Sequence, residues 1–250
     1  MSSNFTQSIA ICTYNRADQI GEVIGSVLAT KPKNARLVVC DDGSTDGTYD
    51  EVRKFEEVTF ISGQNLGVGA NKNRALYALR NSDFICVLED DLVPIEYGWF
   101  EMYQEFCLYT NIHHFCRVQD KRVPESVPEF GAWCVDTLKM TPIYGPSPCG
   151  DMTFISNMVI RKVGAIHPAF RGVGHAHGQW SDRVAASGMI NHPNKWIDIA
   201  EASVKFKQLG DTKGGRWNQN ADETKEQIQS NSNLRKMLGT ELLYIEPFLP

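Results

Sequence analysis

The chain has 250 residues, of which 42% are hydrophobic and 22% are charged. This composition is typical of a soluble globular protein with a sizeable core, and the length suits one large α/β domain or two small ones. A net charge of −5 argues against binding to the phosphate backbone of nucleic acid, although a local basic groove is compatible with this net charge.

The N-terminal sequence and the cysteine pattern bear on the cellular compartment. The N-terminus lacks the basic and apolar regions of a signal peptide, and no apolar run approaches the roughly 20 residues that span a bilayer. The seven cysteines form no CxxC pair, which fits a reducing environment better than a disulfide framework. We therefore expect a soluble cytoplasmic protein without a transmembrane segment, with peripheral attachment to a membrane left open.

Short apolar runs alternate with segments of helical periodicity over about the first ninety residues. The runs have the length of strands buried on both faces, and the segments between them place apolar residues on one helix face. This alternation predicts an α/β fold with a mostly parallel, Rossmann-like sheet, helices on both faces and right-handed crossovers. The expected strands are residues 8–12, 36–40, 58–61 and 84–88, and the expected helices are residues 18–29, 48–55 and 70–79.

The second half of the chain is less regular. Proline, aromatic and turn residues are frequent in residues 124–148, where we expect a loop region beside a functional site. A glycine- and histidine-rich loop is expected at residues 170–177, and a polar segment at 212–220. The other elements predicted here are helices at residues 99–109, 181–187 and 222–238 and strands at residues 153–160 and 196–199.

Two of the expected strands end in carboxylates. Glu89, Asp90 and Asp91 follow one strand, and Asp41 and Asp42 follow another. An acidic, solvated turn would explain either group alone, but parallel strands deliver both groups to one sheet edge, where α/β folds bind ligands. Packed carboxylates repel one another unless a cation or a hydrogen-bond network compensates them. We therefore predict a ligand or metal site at this edge.

Four blocks of sequence carry a family resemblance. They are AICTYNR at 10–16, VCDDGSTDGT at 39–48, NLG at 65–67 with NKNRA at 71–75, and LEDD at 88–91. In their order and spacing, these blocks resemble the nucleotide-sugar-dependent glycosyltransferases of family 2, which have the GT-A fold. The resemblance implies one GT-A domain over residues 1–250. Its nucleotide-sugar and metal-binding half would be residues 1–98, and its acceptor-binding half residues 99–250.

The resemblance also implies how the first half binds a donor. Cys12, Tyr14 and Asp41 fall where the family holds the nucleotide base, and Asp41 is the expected base or ribose partner. Lys72 or Arg74 would offset the charge of the diphosphate. Together with neighbouring positions of the four blocks, the implied donor contacts are Cys12, Tyr14, Arg16, Asp41, Asp42, Asn65, Lys72, Arg74, Glu89 and Asp90.

Residues 89–91 occupy the place of the family's DxD motif, with glutamate at the first position. In the family, a carboxylate of this motif holds Mn²⁺ or Mg²⁺ against the donor diphosphate. We expect Asp91 to be the direct metal ligand and Asp90 to contact the donor sugar or ribose. His175, in the glycine-rich loop, is a second candidate ligand for the ion.

The acceptor half departs from the family where its general base is expected. Relatives often carry an acidic pair here, whereas this chain has Ala176 and Gln179. The candidate bases are Asp182, His177 and His175, because carboxylate and imidazole groups can both be tuned to accept a proton near neutral pH. Asp182 could instead cap the following helix or pair with the arginine next to it.

The resemblance implies a metal-dependent glycosyltransferase that moves a sugar from a nucleoside-diphosphate sugar, UDP being the commonest carrier, to an acceptor hydroxyl. By analogy, the transfer inverts the anomeric carbon. The departure at the base leaves open a retaining transferase, an inactive nucleotide-sugar-binding module, or another nucleotide and metal enzyme such as a nucleotidyltransferase. No GxGxxG or GxxxxGK[ST] loop follows the first strand, which argues against dinucleotide and P-loop chemistry. The expected acceptor is a glycan or another hydroxyl-bearing molecule, and a nucleic acid also stays open as an acceptor.

Overall fold

A computed structural model describes residues 5–119, 133–172, 174–192, 194–210, 221–239 and 244–250. Its first half alternates strands and helices as the hydrophobic pattern predicts, and the four strands end within one residue of their expected bounds. The elements are β1 (Gln7–Thr13), α1 (Ile20–Thr30), β2 (Arg36–Asp41), α2 (Thr48–Val52), β3 (Val58–Ser62), α3 (Val68–Leu79) and β4 (Phe84–Glu89).

The second half supplies shorter strands and the helices that surround the functional edge of the sheet. A π-helical turn at Cys134–Leu138 precedes β7. The elements are β5 (Leu92–Pro94), α4 (Trp99–Thr110), β6 (His114–Val118), β7 (Pro142–Tyr144), β8 (Pro148–Ser156), α5 (Asn157–Val163), α6 (Ala176–Ala186), β9 (Ile197–Ile199), α7 (Ala200–Ser203), β10 (Phe206–Gln208) and α8 (Ala221–Leu238).

The central sheet has the strand order β3-β2-β1-β4-β8-β6. Strands β1 to β4 are parallel, whereas β8 runs antiparallel to both β4 and β6. Cys12 pairs with Glu89 and Thr13 with Asp41, so the carboxyl ends of β1, β2 and β4 meet at one edge. Because β8 is antiparallel, its beginning lies at that same edge. The expected mostly parallel sheet flanked by helices is confirmed, with β8 as the antiparallel exception.

The core of the second half is built around Phe154 on β8. Its ring centroid lies 5.0 Å from that of Phe100, 5.4 Å from Tyr103, 6.0 Å from Phe84 and 6.2 Å from Phe115. These rings come from α4, β4 and β6, and all five residues are buried. The aromatic cluster therefore packs α4 against the antiparallel side of the sheet.

Two element predictions for the second half were wrong. The strand expected at 153–160 ends at Ser156, and α5 takes over from Asn157. The helix expected at 181–187 begins at Ala176, so the glycine-rich segment before it is shorter than expected. As a result, Asp182 lies in the second turn of α6 and does not cap it. Residues 124–132 of the expected loop and the whole of the 212–220 segment lie outside the described residues.

Helix α8 is a mostly polar helix that lies across α6 and the loop before it. Leu234 and Leu238 pack against the hydrophobic core, while Asn231 Nδ2 donates to the carbonyl of Arg171 at 2.9 Å. Arg235 reaches the carboxylate of Asp182 on α6. Within the described ranges, no helix combines the length and the hydrophobicity needed to cross a bilayer.

We predict that Phe154→Ala lowers the free energy of unfolding by about 3–5 kcal/mol, because the remaining four rings cannot close the cavity. Urea denaturation followed by circular dichroism measures this loss. Leu108→Ala is the control, since Leu108 is 52% exposed, and it should change the free energy by less than about 0.5 kcal/mol. Equal losses in the two variants would contradict the central role of Phe154.

Candidate active site

The smaller of two adjoining cavities lies at the carboxyl ends of β1, β2 and β4 and has a volume of about 280 Å³. Thr224 and Gln227 of α8 form part of its wall opposite the sheet. Most of the predicted donor contacts are brought together here. The predicted residues that line it are Cys12, Tyr14, Arg16, Asp42, Asn65, Glu89 and Asp90.

Asp90 is held in the wall of the smaller cavity by the loop after β1. Arg16 Nε donates to Asp90 Oδ1 at 3.2 Å, and the backbone N–H of Tyr14 donates to Oδ2 at 3.3 Å. Gln19 Nε2 donates to the Asp90 carbonyl at 2.7 Å. The charge of Asp90 is therefore compensated inside the protein, and its contacts tie the first loop to the acidic end of β4.

Asp41 lies beside the cavities and lines neither of them. Its carboxylate accepts hydrogen bonds from the backbone of Gly43 at 3.2 Å, from the backbone of Ser44 at 3.0 Å and from Ser62 Oγ at 2.7 Å. Gly43 has φ +77°, which a glycine adopts without strain. Asp41 thus shapes the turn after β2, and its contact with a nucleotide base stays a prediction.

Asp42, in the wall of the smaller cavity, forms a buried ion pair with Arg74, which lies behind that wall. Arg74 Nη1 donates to Asp42 Oδ1 at 2.8 Å, and Nη2 donates to the carbonyl of Gln64 at 2.5 Å. Asp42 Oδ2 accepts from the backbone N–H of Gly67 at 2.7 Å. The guanidinium is fully buried and lines neither cavity, so it holds the 64–67 loop in place. The diphosphate contact predicted for Arg74 is therefore not part of the function proposed below.

The larger cavity has a volume of about 950 Å³ and shares Val68, Glu89 and Gly172 with the smaller one. It extends from the acidic end of β4 along the beginning of β8 to α6 and α8. The charged and histidine side chains in its wall are Lys72, Glu89, Asp91, Asp151, His175, His177 and Arg235.

Gly67 and Gly172 touch backbone to backbone where the two cavities meet. The two residues form an isolated β-bridge, and the N–H of Val68 donates to the carbonyl of Gly172 at 3.0 Å. A Cβ on Gly67 would lie 2.2 Å from the nitrogen of Gly172, so only glycine permits this approach. The contact therefore joins the loop before α3 to the loop before α6.

Asp91 and Asp151 are two carboxylates with unusual environments in the larger cavity. Burial, reinforced by the charge of Glu89, raises the pKa of both carboxyl groups. Asp151 Oδ2 accepts from Arg117 Nη1 at 2.5 Å, but Oδ1 of Asp151 and Oδ1 of Asp91 are buried without a hydrogen-bond partner. Among the described residues, neither of these two oxygens has a hydrogen-bond donor.

Lys72 supplies a positive charge between the carboxylates. Its Nζ lies 2.8 Å from Glu89 Oε1 and donates to the Gly150 carbonyl at 2.5 Å. Burial on its own would lower the pKa of this ammonium, but the charge and hydrogen bond of Glu89 outweigh burial and raise it. Lys72 is therefore positively charged at neutral pH, next to the acidic end of β4.

His177 lines the larger cavity and has one unpaired ring nitrogen in the described part of the chain. Its Nε2 lies 3.2 Å from Thr153 Oγ1, while its Nδ1 is buried without a partner in the described part of the chain. Burial, with smaller contributions from Lys72, His114 and Arg235, lowers the pKa of His177 well below its usual range. The ring is therefore neutral at pH 7 and has the form that accepts a proton.

His175 caps the start of α6 in a left-handed conformation, with φ +61°. Burial and the charges of Arg235 and Lys236 lower its pKa. The same two positive charges oppose a cation at this ring. The predicted ligand role of His175 is for this reason not carried into the metal site proposed below.

Asp182 lines neither cavity, and two cations hold its carboxylate. Lys195 Nζ contacts Oδ1, and Arg235 Nη2 lies 2.7 Å from Oδ2. The carboxylate is therefore engaged by these two cations and is turned toward α8. Its base role stays a prediction, and the geometry favours His177.

The donor set at the end of β4 suits a hard divalent cation. Glu89 and Asp91 offer carboxylate oxygens, the type of ligand that such cations bind. Oδ1 of Asp91 is buried and has no hydrogen-bond partner in the described residues, so its charge is available to a cation. In the described ranges, no three His, Cys, Asp or Glu side chains are already grouped as a metal site. Oxygens of a bound diphosphate would therefore have to complete the coordination shell.

Sequence reasoning missed Asp151, Arg117 and the contribution of α8. Asp151 stands at the beginning of an apolar run, and a parallel sheet would place it at the far edge. The antiparallel direction of β8 brings it beside Glu89. An acid that opens a strand, next to acids that close another, is the signal that would have identified it.

Residues 8–156 match glycosyl transferase family 2. The chain belongs to this family. It is 33% identical over 87 residues to the Escherichia coli UDP-Glc:alpha-D-GlcNAc-diphosphoundecaprenol beta-1,3-glucosyltransferase WfaP, which is 34% of each chain. It is 37% identical over 65 residues to the Streptomyces hygroscopicus subsp. limoneus validoxylamine A glucosyltransferase, 24% of this chain and 14% of that one. The chain thus matches about a third or less of the length of these curated relatives.

Solved structures confirm the GT-A type of fold. The mannosyltransferase PcManGT from Pyrobaculum calidifontis, in complex with GDP-Man and Mn²⁺, superposes with a TM-score of 0.53 at 16% identity, covering 74% of this chain and 53% of that one. GalNAc-T7 with UDP, GalNAc and Mn²⁺ superposes with a TM-score of 0.64 at 14% identity, covering 86% of this chain and 45% of that one. At these identities the likeness concerns the fold.

We predict that Asp42→Ala lowers the free energy of unfolding by about 3–5 kcal/mol, because it leaves the buried charge of Arg74 without its partner. Chemical denaturation measures the loss. The matched control is Asp50→Ala, which removes an ion pair with Arg53 whose side chains are 63% and 64% exposed. It should cost less than about 1 kcal/mol. A loss for Asp42→Ala no larger than the control's would show that the pair is not structural.

Proposed function

We propose that the chain is a metal-dependent glycosyltransferase that moves a sugar from a nucleoside-diphosphate sugar to an acceptor hydroxyl with inversion. The observation that carries the proposal is the pair of adjoining cavities that meet at Glu89, at the carboxyl end of β4. The smaller cavity offers a site for a nucleoside, and the larger one has room for a sugar and an acceptor. UDP is the proposed carrier, supported by the UDP-Glc in the name of the E. coli relative.

The diphosphate is proposed to lie where the cavities meet. Asp91 would hold Mn²⁺ or Mg²⁺ through its unpartnered Oδ1, with Glu89 beside it. The ion would neutralise the negative charge that develops on the leaving nucleoside diphosphate. Lys72 adds a fixed positive charge in the same wall, and Asp90 and Arg16 are close enough to bind ribose or donor sugar.

His177 is the proposed general base. Its Nδ1 would take the proton of the acceptor hydroxyl while the hydroxyl oxygen forms a bond to the anomeric carbon. The bond from that carbon to the diphosphate oxygen breaks on the opposite face, so one displacement inverts the carbon. Asp182 is engaged by Lys195 and Arg235, and a base must reach the proton that it removes.

The acceptor is proposed to be a glycan or another hydroxyl-bearing molecule, and the site of action to be the cytoplasm. Support for the compartment comes from the cysteines, because none of the seven, all in described residues, forms a disulfide, and six are buried as small apolar side chains. Support for the acceptor comes from the larger cavity, whose wall mixes the polar groups of Gln119, Ser147 and Gln208 with backbone of β8.

We predict that Mn²⁺ lowers the dissociation constant of UDP from the wild-type protein by about tenfold or more. In Asp91→Asn this gain should be lost. Isothermal titration with and without Mn²⁺ measures it, with GDP and dTDP run in parallel. Asp50→Asn, at an exposed position, is the control and should behave as wild type. An undiminished Mn²⁺ effect in Asp91→Asn would refute the ligand role, and no binding of any nucleotide would refute the proposed function.

We predict that His177→Asn lowers the turnover of UDP-glucose hydrolysis by roughly 10²–10⁴-fold, as loss of a general base does, while UDP binds as before. Steady-state release of UDP, with water as the acceptor, measures turnover. Asp182→Asn is the comparison variant and should retain most of the turnover. The opposite result, with Asp182→Asn inactive and His177→Asn active, would transfer the base role to Asp182. Metal-dependent binding without any turnover in the wild type would favour an inactive binding module.

A further inference from the structure

Two buried histidines meet two hydroxyl groups where α6 packs on the sheet. On β8, Thr153 Oγ1 lies 3.2 Å from Nε2 of His177, and on β6, Nε2 of His114 lies 3.2 Å from Ser181 Oγ. His177 and Ser181 are one turn apart on α6, and the rings of His114 and His177 are 5.8 Å apart. The two contacts have the same nitrogen-to-oxygen distance, but of the two histidines only His177 lines the larger cavity.

We propose that Thr153 is a positioning residue, which accepts a hydrogen bond from Nε2–H of His177 and thereby keeps Nδ1 as a free lone pair toward the larger cavity. The inference rests on the proposed function and deepens it, because it says which nitrogen of the base receives the proton. Thr153 itself does not touch the reacting atoms. It acts through the imidazole.

The surroundings of Nε2 leave Thr153 as its polar partner. Thr153 is 4% exposed in the middle of β8, and its cross-strand neighbours are the apolar Val87 and Cys116. A neutral imidazole carries one N–H, and the hydrogen bond made by one nitrogen decides the state of the other. A proton on Nε2, bound to Thr153 Oγ1, therefore leaves Nδ1 able to accept.

The surroundings of Nδ1 point to the larger cavity. This nitrogen is buried without a partner in the described residues, in a side chain that is 8% exposed. A Cβ on Gly150 would lie 3.9 Å from it, and Gly150 lines the same cavity. Gly150 has no side chain of its own beside Nδ1, so its backbone is what borders this nitrogen. An acceptor hydroxyl that enters the cavity here would find the unprotonated nitrogen.

The proton balance follows from this arrangement. The acceptor O–H gives its proton to Nδ1, its oxygen forms the bond to the anomeric carbon, and the diphosphate leaves with the electron pair of the broken bond. The ring then carries a proton on each nitrogen, and Nε2–H stays bonded to Thr153 Oγ1. Thr153 thus holds the ring in one orientation before and after the transfer.

The first test reads the tautomer directly, independently of activity. Imidazole ¹⁵N shifts of histidine-labelled protein at pH 7.5 distinguish Nε2–H from Nδ1–H. Wild type and Thr153→Ser should show His177 as the Nε2–H form, whereas Thr153→Val should shift it toward Nδ1–H, because the buried Nε2–H loses its acceptor. An Nδ1–H form in the wild type, or an unchanged tautomer in Thr153→Val, would overturn the inference.

The second test is kinetic and uses UDP-glucose with Mn²⁺ and water as acceptor. We expect Thr153→Val to lower kcat by roughly tenfold or more with KM unchanged, and Thr153→Ser to restore most of it. Ser181→Ala, which removes the matching hydroxyl from the same packing surface, should leave both kcat and the His177 signals as in the wild type. Equal losses in Ser181→Ala and Thr153→Val would reduce Thr153 to a packing residue and overturn the inference.

The experiments distinguish failure of the Thr153 inference from failure of the proposed base, His177. If His177→Asn lowers kcat but Thr153→Val changes neither kcat nor the tautomer, the inference fails and the proposed base remains. If His177→Asn and Thr153→Val both turn over as wild type, the base assignment fails and takes the inference with it. Loss of kcat in both variants, with rescue by Thr153→Ser, supports both.

Discussion

The compensation of carboxylates at one edge of the sheet is the constraint on which the rest of the structure depends. Three parallel strands end there and the antiparallel β8 begins there, so acidic side chains converge from three of them, β2, β4 and β8. Each would be costly to bury alone, and buried cations offset most of the cost. Asp91 Oδ1 is left without a partner, which is why it is the proposed place for a metal ion. The ion pairs that compensate these acids are Arg16 with Asp90, Arg74 with Asp42, Lys72 with Glu89 and Arg117 with Asp151.

The same ion pairs divide the edge into a scaffold and a reactive surface. Arg74 lies behind the smaller cavity, and its pair with Asp42 fixes the loop that ends at Gly67, where that loop meets Gly172. The pair of Lys72 and Glu89 faces the cavities, where its charges can meet a diphosphate. Charge near the site is therefore not evidence of ligand contact by itself. Burial and the partners of each group decide which of the two roles it has.

The prediction from sequence succeeded for the strands that end at the functional edge, and it was wrong or silent where long-range packing decides. Apolar runs closed by acids gave the correct ends of β2 and β4, because burial on both faces leaves a strong local pattern. The start of α6 was missed because its first turn is rich in glycine and histidine, which are weak helix formers. Tertiary contacts of α6 with β6, β8 and α8 outweigh that weak propensity.

The sequence by itself determined the parallel βα units, the acidic edge and membership in the family, because local periodicity and short motifs carry that information. Only the tertiary structure decided which acids are free to meet a ligand. It turned β8 antiparallel, which brought Asp151 beside Glu89, and it used Asp182 to anchor α8. It also placed Thr153 against His177, 24 residues away. The physical reason is that ion pairing and hydrogen bonding depend on distances between elements, which a linear pattern does not contain.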